Sequence, residues 1–273
     1  MVKKIFVTNP TLAVGLLIVL VVAVVSLGAV YMTPYNITEL HILDRLQPPS
    51  KDYFFGTDQY GRDLFSRVLV GGRTSLTLGL GAVLLELLLG IPIGIMTGYF
   101  GGKTDEVLMR LMDTLMSIPS LLMALLILTA LGGSMLNAML AIAIVGAPRI
   151  ARVVRSATLA LKNEEFVLAA RARGESHRFV MFGEILPNVL SPIIVEATIG
   201  VGFAIMIGAG LSYLGLGVQP PNADWGLMIR QAREYLFASP YPMLFPGCAL
   251  AVTIIGFNLL GDGLRDLIGE QTE

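Results

Sequence analysis

The chain has 273 residues, of which 55% are hydrophobic and 14% charged, with a mean hydropathy of +0.75 and a net charge of −1. A charged share well below that of soluble domains places it in a bilayer, and near-neutrality excludes bulk electrostatic attraction to nucleic acid or to an acidic macromolecule. A single cysteine, Cys248, excludes an internal disulfide or a thiolate metal cluster and reads as inert packing in an apolar run.

A hydrocarbon core about 30 Å thick takes roughly 20 apolar residues per helix, and six stretches meet that requirement. In chain order they are 11–32, 76–99, 107–131, 136–154, 191–213 and 244–260. The expected fold class is therefore an all-α integral membrane protein with six transmembrane helices. The first run is longer than the core of a signal peptide, about 7 to 15 residues, and no clean cleavage site follows, so it is expected to stay as a helix. The chain divides into an N-terminal helix with an outer elbow, 1–75, a five-helix core, 76–263, with a charged loop at about 162–190, and a tail, 264–273.

Before the second span, Asp58, Arg62, Asp63 and Arg67 recur at helical spacings and predict a short amphipathic helix stitched by ion pairs. Phe54, Phe55, Leu64 and Phe65 would form its apolar side, and the segment reads as a structural elbow rather than a binding site. Span two repeats small residues at every fourth position, Gly90, Gly94 and Gly98, and span five does the same with Gly200, Ala204 and Gly208. Such stripes let neighbouring backbones approach where van der Waals packing replaces the hydrophobic effect, so they are expected to join helices. Pro92 and Pro119 fall inside spans two and three, where each removes a backbone donor and kinks a helix. Near the inner end of span three, Arg110 and Asp113 stand three residues apart and are expected to pair.

Glu86 and Glu196 are the deepest carboxylates in the spans. An ionisable group in hydrocarbon is costly by default, so at least one is expected to face the interior of the helical assembly. Two readings stay open for them: a translocation path meeting an ammonium or cation, and a carboxylate hydrogen-bonded to a neighbouring helix.

The segment 165–188, EFVLAARARGESHRFVMFGEILPN, is charged and lies between membrane-length apolar runs. Glu165 to Arg173 has good helical propensity, Gly174 ends that helix, and a second short helix is expected from Glu175 to Ile185, stopping near Pro187. Ala169, Ala170, Arg173 and Gly174 would share one side, a small smooth surface flanked by guanidinium groups. Insertion into a partner's groove and a solvated loop lying on the inner leaflet, with Arg171, Arg173 and Arg178 near anionic lipid, both fit this pattern. With the N-terminus inside, twelve of the 19 Lys and Arg residues, Lys3 and Lys4 among them, fall on the inner side, and this loop holds their densest cluster. Both termini are accordingly expected to be cytoplasmic.

The run AARARG at 169–174, followed by Leu186 and Pro187, resembles the Glu-Ala-Ala loop of permease subunits of ABC importers. Ala169, Ala170, Gly174, Leu186 and Pro187 match that pattern; Leu168 and Glu184 stand where the pattern has Glu and Ile, and Glu165 lies one turn upstream of the first. The stretches FGTDQYGRDLFSRVLVGGRTSL at 55–76, LSYLGLGVQPPNADWGLMI at 211–229 and NLLGDGLRD at 258–266 are similar to the dipeptide, oligopeptide and nickel permease group, specifically its C-type subunit.

The resemblance implies the type I ABC importer permease fold in a bacterial or archaeal cytoplasmic membrane. It further implies a homologous B-type permease, two ATPase subunits on the cytoplasmic side and an extracytoplasmic binding protein. Glu165, Ala169, Ala170, Arg171, Arg173, Gly174, Leu186 and Pro187 would couple the chain to the ATPases. Short peptides are the first expectation for the cargo, with nickel or a nickel chelate second. The segment 215–242 mixes turn residues with one aromatic, and Pro221, Asp224 and Trp225 are the candidate contacts for the binding protein.

His41 and His177 have no Cys or carboxylate at metal-ligand spacing, so no metal site is expected. The chain also lacks a GxxxxGK[ST] phosphate loop, so no cofactor is expected in it, and ATP and Mg would be bound by the partner ATPases. A secondary transporter would show repeated halves, and an intramembrane enzyme would need a nucleophile with its base at membrane depth; neither pattern is seen.

Overall fold

The computed structural model describes residues 9–269, so Lys3, Lys4 and the end of the expected tail lie outside it. In chain order its main helices are α1 (Pro10–Leu27), α2 (Leu64–Phe100), α3 (Gly102–Met116), α4 (Ser120–Leu131), α5 (Met135–Leu161), α6 (Glu165–Ala172), α7 (Leu190–Leu214), α8 (Trp225–Ala232) and α9 (Tyr241–Gly269). Strand pairing among the described residues is limited to one antiparallel bridge between Thr57 and Asp63. Helices α1, α2, α5, α7 and α9 are each long and apolar enough to cross a membrane, and α3 with α4 makes a sixth span if that bent pair is counted as one.

The third expected span is not a straight rod. Helices α3 and α4 meet at 93° across Ser117 to Pro119. Pro119 disfavours helix at the residue before it and brings no N–H of its own, so the ladder restarts at Ser120. Charge explains the direction of α3. Its Asp105 takes two 2.5 Å hydrogen bonds from Arg155, and its Asp113 takes one of 2.5 Å from Arg152, both donors lying on α5. The expected Arg110 to Asp113 pair does not form; Arg110 lies 3.5 Å from Glu106 instead.

Other helices run past their apolar segments, because hydropathy marks the hydrocarbon slab and not the hydrogen-bond ladder. Helix α2 begins at Leu64, where the Asp63 carboxylate caps it by accepting from the Ser66 N–H at 2.8 Å. The elbow before it contains no amphipathic helix over 58–63. Gly56 and Gly61 both have positive φ there, and a side chain at Gly61 would strike the His41 carbonyl. The expected ion pairs are nonetheless present around Asp58, which accepts from Arg62 Nε at 2.6 Å and lies 3.6 Å from Arg67 Nε. Arg67 is only 1% exposed and also donates to the Ile37 carbonyl at 2.9 Å.

The small-residue stripe of α2 packs on α5 in register. A Cβ added at Gly90, Gly94 or Gly98 would lie 2.7, 2.6 or 2.6 Å from the Cβ of Ile150, Val154 or Thr158, which are likewise four residues apart. Only bare backbone fits at those crossings. In α7, Gly208 meets Leu78 of α2 and Ala204 is fully buried. Helices α1 and α9 use the same device, with Gly15 against the Leu259 to Leu260 backbone and Gly263 against Leu12. Cys248 on α9 is exposed rather than packed inside.

Candidate functional site: the charged hairpin and the intramembrane charge cluster

Glu165–Ala172 forms α6 as expected, and it ends in a glycine turn. Gly174 adopts φ +80°, and the Glu175 N–H reaches back to the Ala170 carbonyl at 3.2 Å while the Gly174 N–H bonds to that of Arg171 at 3.0 Å. The left-handed residue closes the helix by satisfying carbonyls that would otherwise be orphaned. The Ser176 hydroxyl then accepts from the Phe179 N–H at 3.3 Å and opens the second arm.

That arm differs from expectation. It is helical over His177–Phe179, widens to a π-helix over Val180–Ile185 in place of the expected regular helix, and ends with Leu186–Asn188, next to the expected stop near Pro187. Pro187 has no N–H for the Gly183 carbonyl and its ring crowds that turn; the wider coil, with the Leu186 N–H bonding to Met181, accommodates it. Glu184, which departs from the importer pattern, accepts from Arg173 Nη2 at 3.2 Å and so ties the two arms together.

The two alanines do not share the outer surface. Ala170 is fully buried with Val167, Val180 and Ile185 in a cluster that includes Ile95, Ile150 and Val154 of α2 and α5, whereas Ala169 is exposed. On α6, Val167 and Ala170 lie three residues apart on the face turned to the second arm, whereas Ala169 lies on the exposed side with Glu165, Phe166 and Leu168. Glu165, Arg171, Arg173, Gly174 and Pro187 are exposed, and Leu186 is half-buried. Nothing lies within 4 Å of a Cβ added at Gly174. The tip is thus a free knuckle on an arm rooted in the helical core.

A contact missed in the sequence, made by Tyr99 with His177 and Arg171, fixes the arm to α2. Tyr99, at the end of that helix, has its hydroxyl 2.9 Å from His177 Nδ1, and the Arg171 guanidinium stacks over its ring at 4.6 Å. Their separation along the chain hides this contact, although an aromatic at a helix end facing a basic loop is its signal.

At membrane depth, Glu86 is fully buried on α2, and Glu196 on α7 retains 15% of its side-chain exposure. Both face Arg149 of α5, which sequence reading had counted only as an inner cation. Arg149 Nε lies 2.7 Å from Glu196 Oε1, its Nη2 lies 3.7 Å from Glu86 Oε2, and its guanidinium stands 5.1 Å over the Phe203 ring. A Cβ at Gly146 would collide with the Glu86 carboxylate, and one at Gly200 would come within 2.9 Å of Arg149 Nη2. Two glycines therefore make the space for the charges, a second use for Gly200 beyond joining helices.

The outer candidates are not surface contacts. Asp224 and Trp225 are 1% and 2% exposed, leaving Pro221 outside. Trp225 donates from Nε1 to the Val68 carbonyl at 2.9 Å and packs against Gly71 and Gly72. Asp224 caps α8 through the Leu227 N–H at 3.1 Å and accepts from the Ser75 hydroxyl at 2.8 Å. Burial raises its carboxyl above the usual range, and those hydrogen bonds oppose the rise.

Comparison with known proteins agrees with this architecture. The chain is 42% identical over 260 residues to the dipeptide transport system permease protein of Alkalihalophilus pseudofirmus, covering 95% of this chain and 86% of that protein. It is 40% identical to the oligopeptide transport system permease protein of Bacillus subtilis, covering 96% and 86%. A chain of the MetNI methionine ABC transporter, solved in inward-facing conformations, shares the fold with a TM-score of 0.60 at 18% identity, over 73% of this chain and 95% of that one. The family model described as binding-protein-dependent transport system inner membrane component matches residues 90–272, and the chain belongs to that family.

Proposed function

We propose that the chain is the permease subunit that forms half of the translocation path of an ATP-driven peptide importer. The observation that carries the reading is the hairpin tip, a left-handed glycine with open space around it on an arm rooted in the α2 and α5 core. A rigid arm with a smooth end transmits displacement from a soluble motor to the spans, and alternating access requires two discrete arrangements that the motor biases. In this reading ATP and Mg are bound by two partner ATPases at the Glu165 to Gly174 knuckle, no enzymatic activity or cofactor belongs to this chain, and a B-type permease completes the pathway. The knuckle and both termini are cytoplasmic, supported by the basic residues Arg171, Arg173 and Arg178 in the loop.

Peptides are favoured over nickel because the dipeptide and oligopeptide permeases resemble this chain over nearly its whole length. Glu196 and, behind it, Glu86 are the proposed pathway carboxylates. With Asp224 and Trp225 buried, only Pro221 of the outer candidates remains for contact with the binding protein. The test is purification of the tagged chain from its native membrane followed by reconstitution with its binding protein. Copurification of a second permease and ATPases, with ATP-dependent uptake of a labelled dipeptide, is expected. A chain that purifies alone and transports without ATP would refute the reading, and uptake of nickel in place of peptide would refute the cargo.

A further inference from the structure

One guanidinium faces two carboxylates where α2, α5 and α7 meet, paired closely with Glu196 and more distantly with Glu86, yet without an aligned hydrogen bond from Nε or Nη2 to either. Although Arg149 Nε is 2.7 Å from Glu196 and Nη2 is 3.7 Å from Glu86, both nitrogens are buried without a hydrogen bond, as are both oxygens of Glu86. A buried carboxylate without a hydrogen bond is costly, and a guanidinium has five N–H donors in a fixed fork with which to satisfy one. Native structures rarely leave such a group orphaned without a use for it. Exposure is graded across the cluster: the Arg149 and Glu196 side chains keep 29% and 15%, and Glu86 keeps none. Glu196 is thus the accessible carboxylate and Glu86 the hidden one, in a space that Gly146 and Gly200 leave open.

We propose that Arg149 is a two-position latch. In the arrangement described here it holds Glu196 of α7. In the second arrangement, with α7 displaced from α2 and α5, it moves onto Glu86, and the freed Glu196 carboxylate receives the ammonium group of the cargo. The ammonium part rests on the peptide reading above; the latch itself does not. Glu86 gains the hydrogen bonds it lacks, while Glu196 exchanges one cation for another. The cargo thereby binds the second arrangement better than the first, which is the differential affinity needed to shift the equilibrium. Without cargo, Glu196 would be left unpaired and the latch would return.

The test uses the assembled complex with both permeases, the ATPases and the binding protein in proteoliposomes. Glu86→Gln deprives the guanidinium of its second charged position and should slow binding-protein-stimulated ATP hydrolysis about tenfold, whereas Glu196→Gln opens the latch and should speed it by about threefold. Glu86→Asp retracts the charge by one methylene and should be intermediate, which covers the case in which Glu86→Gln fails to assemble. Uptake of alanyl-alanine is then compared with that of propionyl-alanine, which has hydrogen in place of the ammonium, after correction for each compound's affinity for the binding protein. Glu196→Gln should reduce the preference for alanyl-alanine about tenfold. Changes of hydrolysis in the same direction in the Glu86 and Glu196 variants would overturn the latch, and an undiminished preference in Glu196→Gln would overturn the ammonium site. If the unaltered complex takes up no alanyl-alanine, the peptide reading falls, while opposite changes in hydrolysis would still support the latch.

Discussion

Replacing Gly94 by alanine should loosen the principal crossing of the bundle. The added methyl would sit 2.6 Å from Val154 Cβ and 2.5 Å from the Ala151 carbonyl oxygen, so α2 and α5 must separate by about 1 Å to restore ordinary contact. A gap of that size forfeits roughly a quarter to a half of each dispersion contact it opens, and Gly90 and Gly98 lie on the same face, so the loss extends along the stripe. Overpacking at this level costs about 1 to 3 kcal/mol, which corresponds to a fall in thermal midpoint of roughly 5 °C for a chain of this size. The assay is thermal unfolding of the purified complex in lipid nanodiscs. Gly247→Ala in α9 is the control, since no atom lies within 4 Å of its added Cβ. Equal midpoints for Gly94→Ala and the parent, or an equal fall in the control, would refute the packing argument.

The glycine turn of the hairpin gives a second expectation: at φ +80° a β-branched residue is strained while asparagine is tolerated, so Gly174→Val should lower transport-coupled ATP hydrolysis more than Gly174→Asn. Gly174→Asp adds a charge at the tip and should uncouple hydrolysis from uptake, as measured by the ratio of the two rates. Trp225→Phe removes the bond to the Val68 carbonyl and should cost about 1 to 2 kcal/mol, read as a lower midpoint in the same melt; an unchanged midpoint would contradict the structural role given to that indole. Asp224 supplies a pH prediction. Because burial raises its carboxyl above the ordinary 3.8, its contribution to stability is fully present below that pH and is lost as pH climbs through the folded value. The stability of the parent relative to Asp224→Asn should therefore fall as pH rises above 3.8, and a flat or rising difference would contradict the assignment.

The spans were legible because a bilayer imposes length and apolarity on every crossing, and the Gly90, Gly94 and Gly98 stripe because close approach admits only small residues. The bend between α3 and α4 was harder to see, since the salt bridges that orient α3 join residues 39 and 50 positions apart. Trp225 misled for a related reason. An aromatic among turn residues reads as an interfacial anchor, and only the paired Gly71 and Gly72 on α2 reveal the slot that buries it. In the hairpin, composition indicated a helix and its glycine end but not which of two adjacent alanines turns inward, because the second arm that decides it is a π-helix shaped by Pro187. The pairing of Arg149 was hidden because it stands close to the basic residues Arg152 and Arg155 and reads as one more inner cation, while its partners lie on two other helices.

The central claim is that a motor protein pushes on the exposed side of α6. It is tested most directly by placing a cysteine at Ala169, with Cys248 replaced by serine, and adding a short bifunctional thiol cross-linker to the assembled complex. The account predicts a product joining this chain to an ATPase subunit, formed in inside-out vesicles and altered by nucleotide. Failure to cross-link any ATPase from Ala169, or labelling of that cysteine only from the extracytoplasmic face, would contradict it.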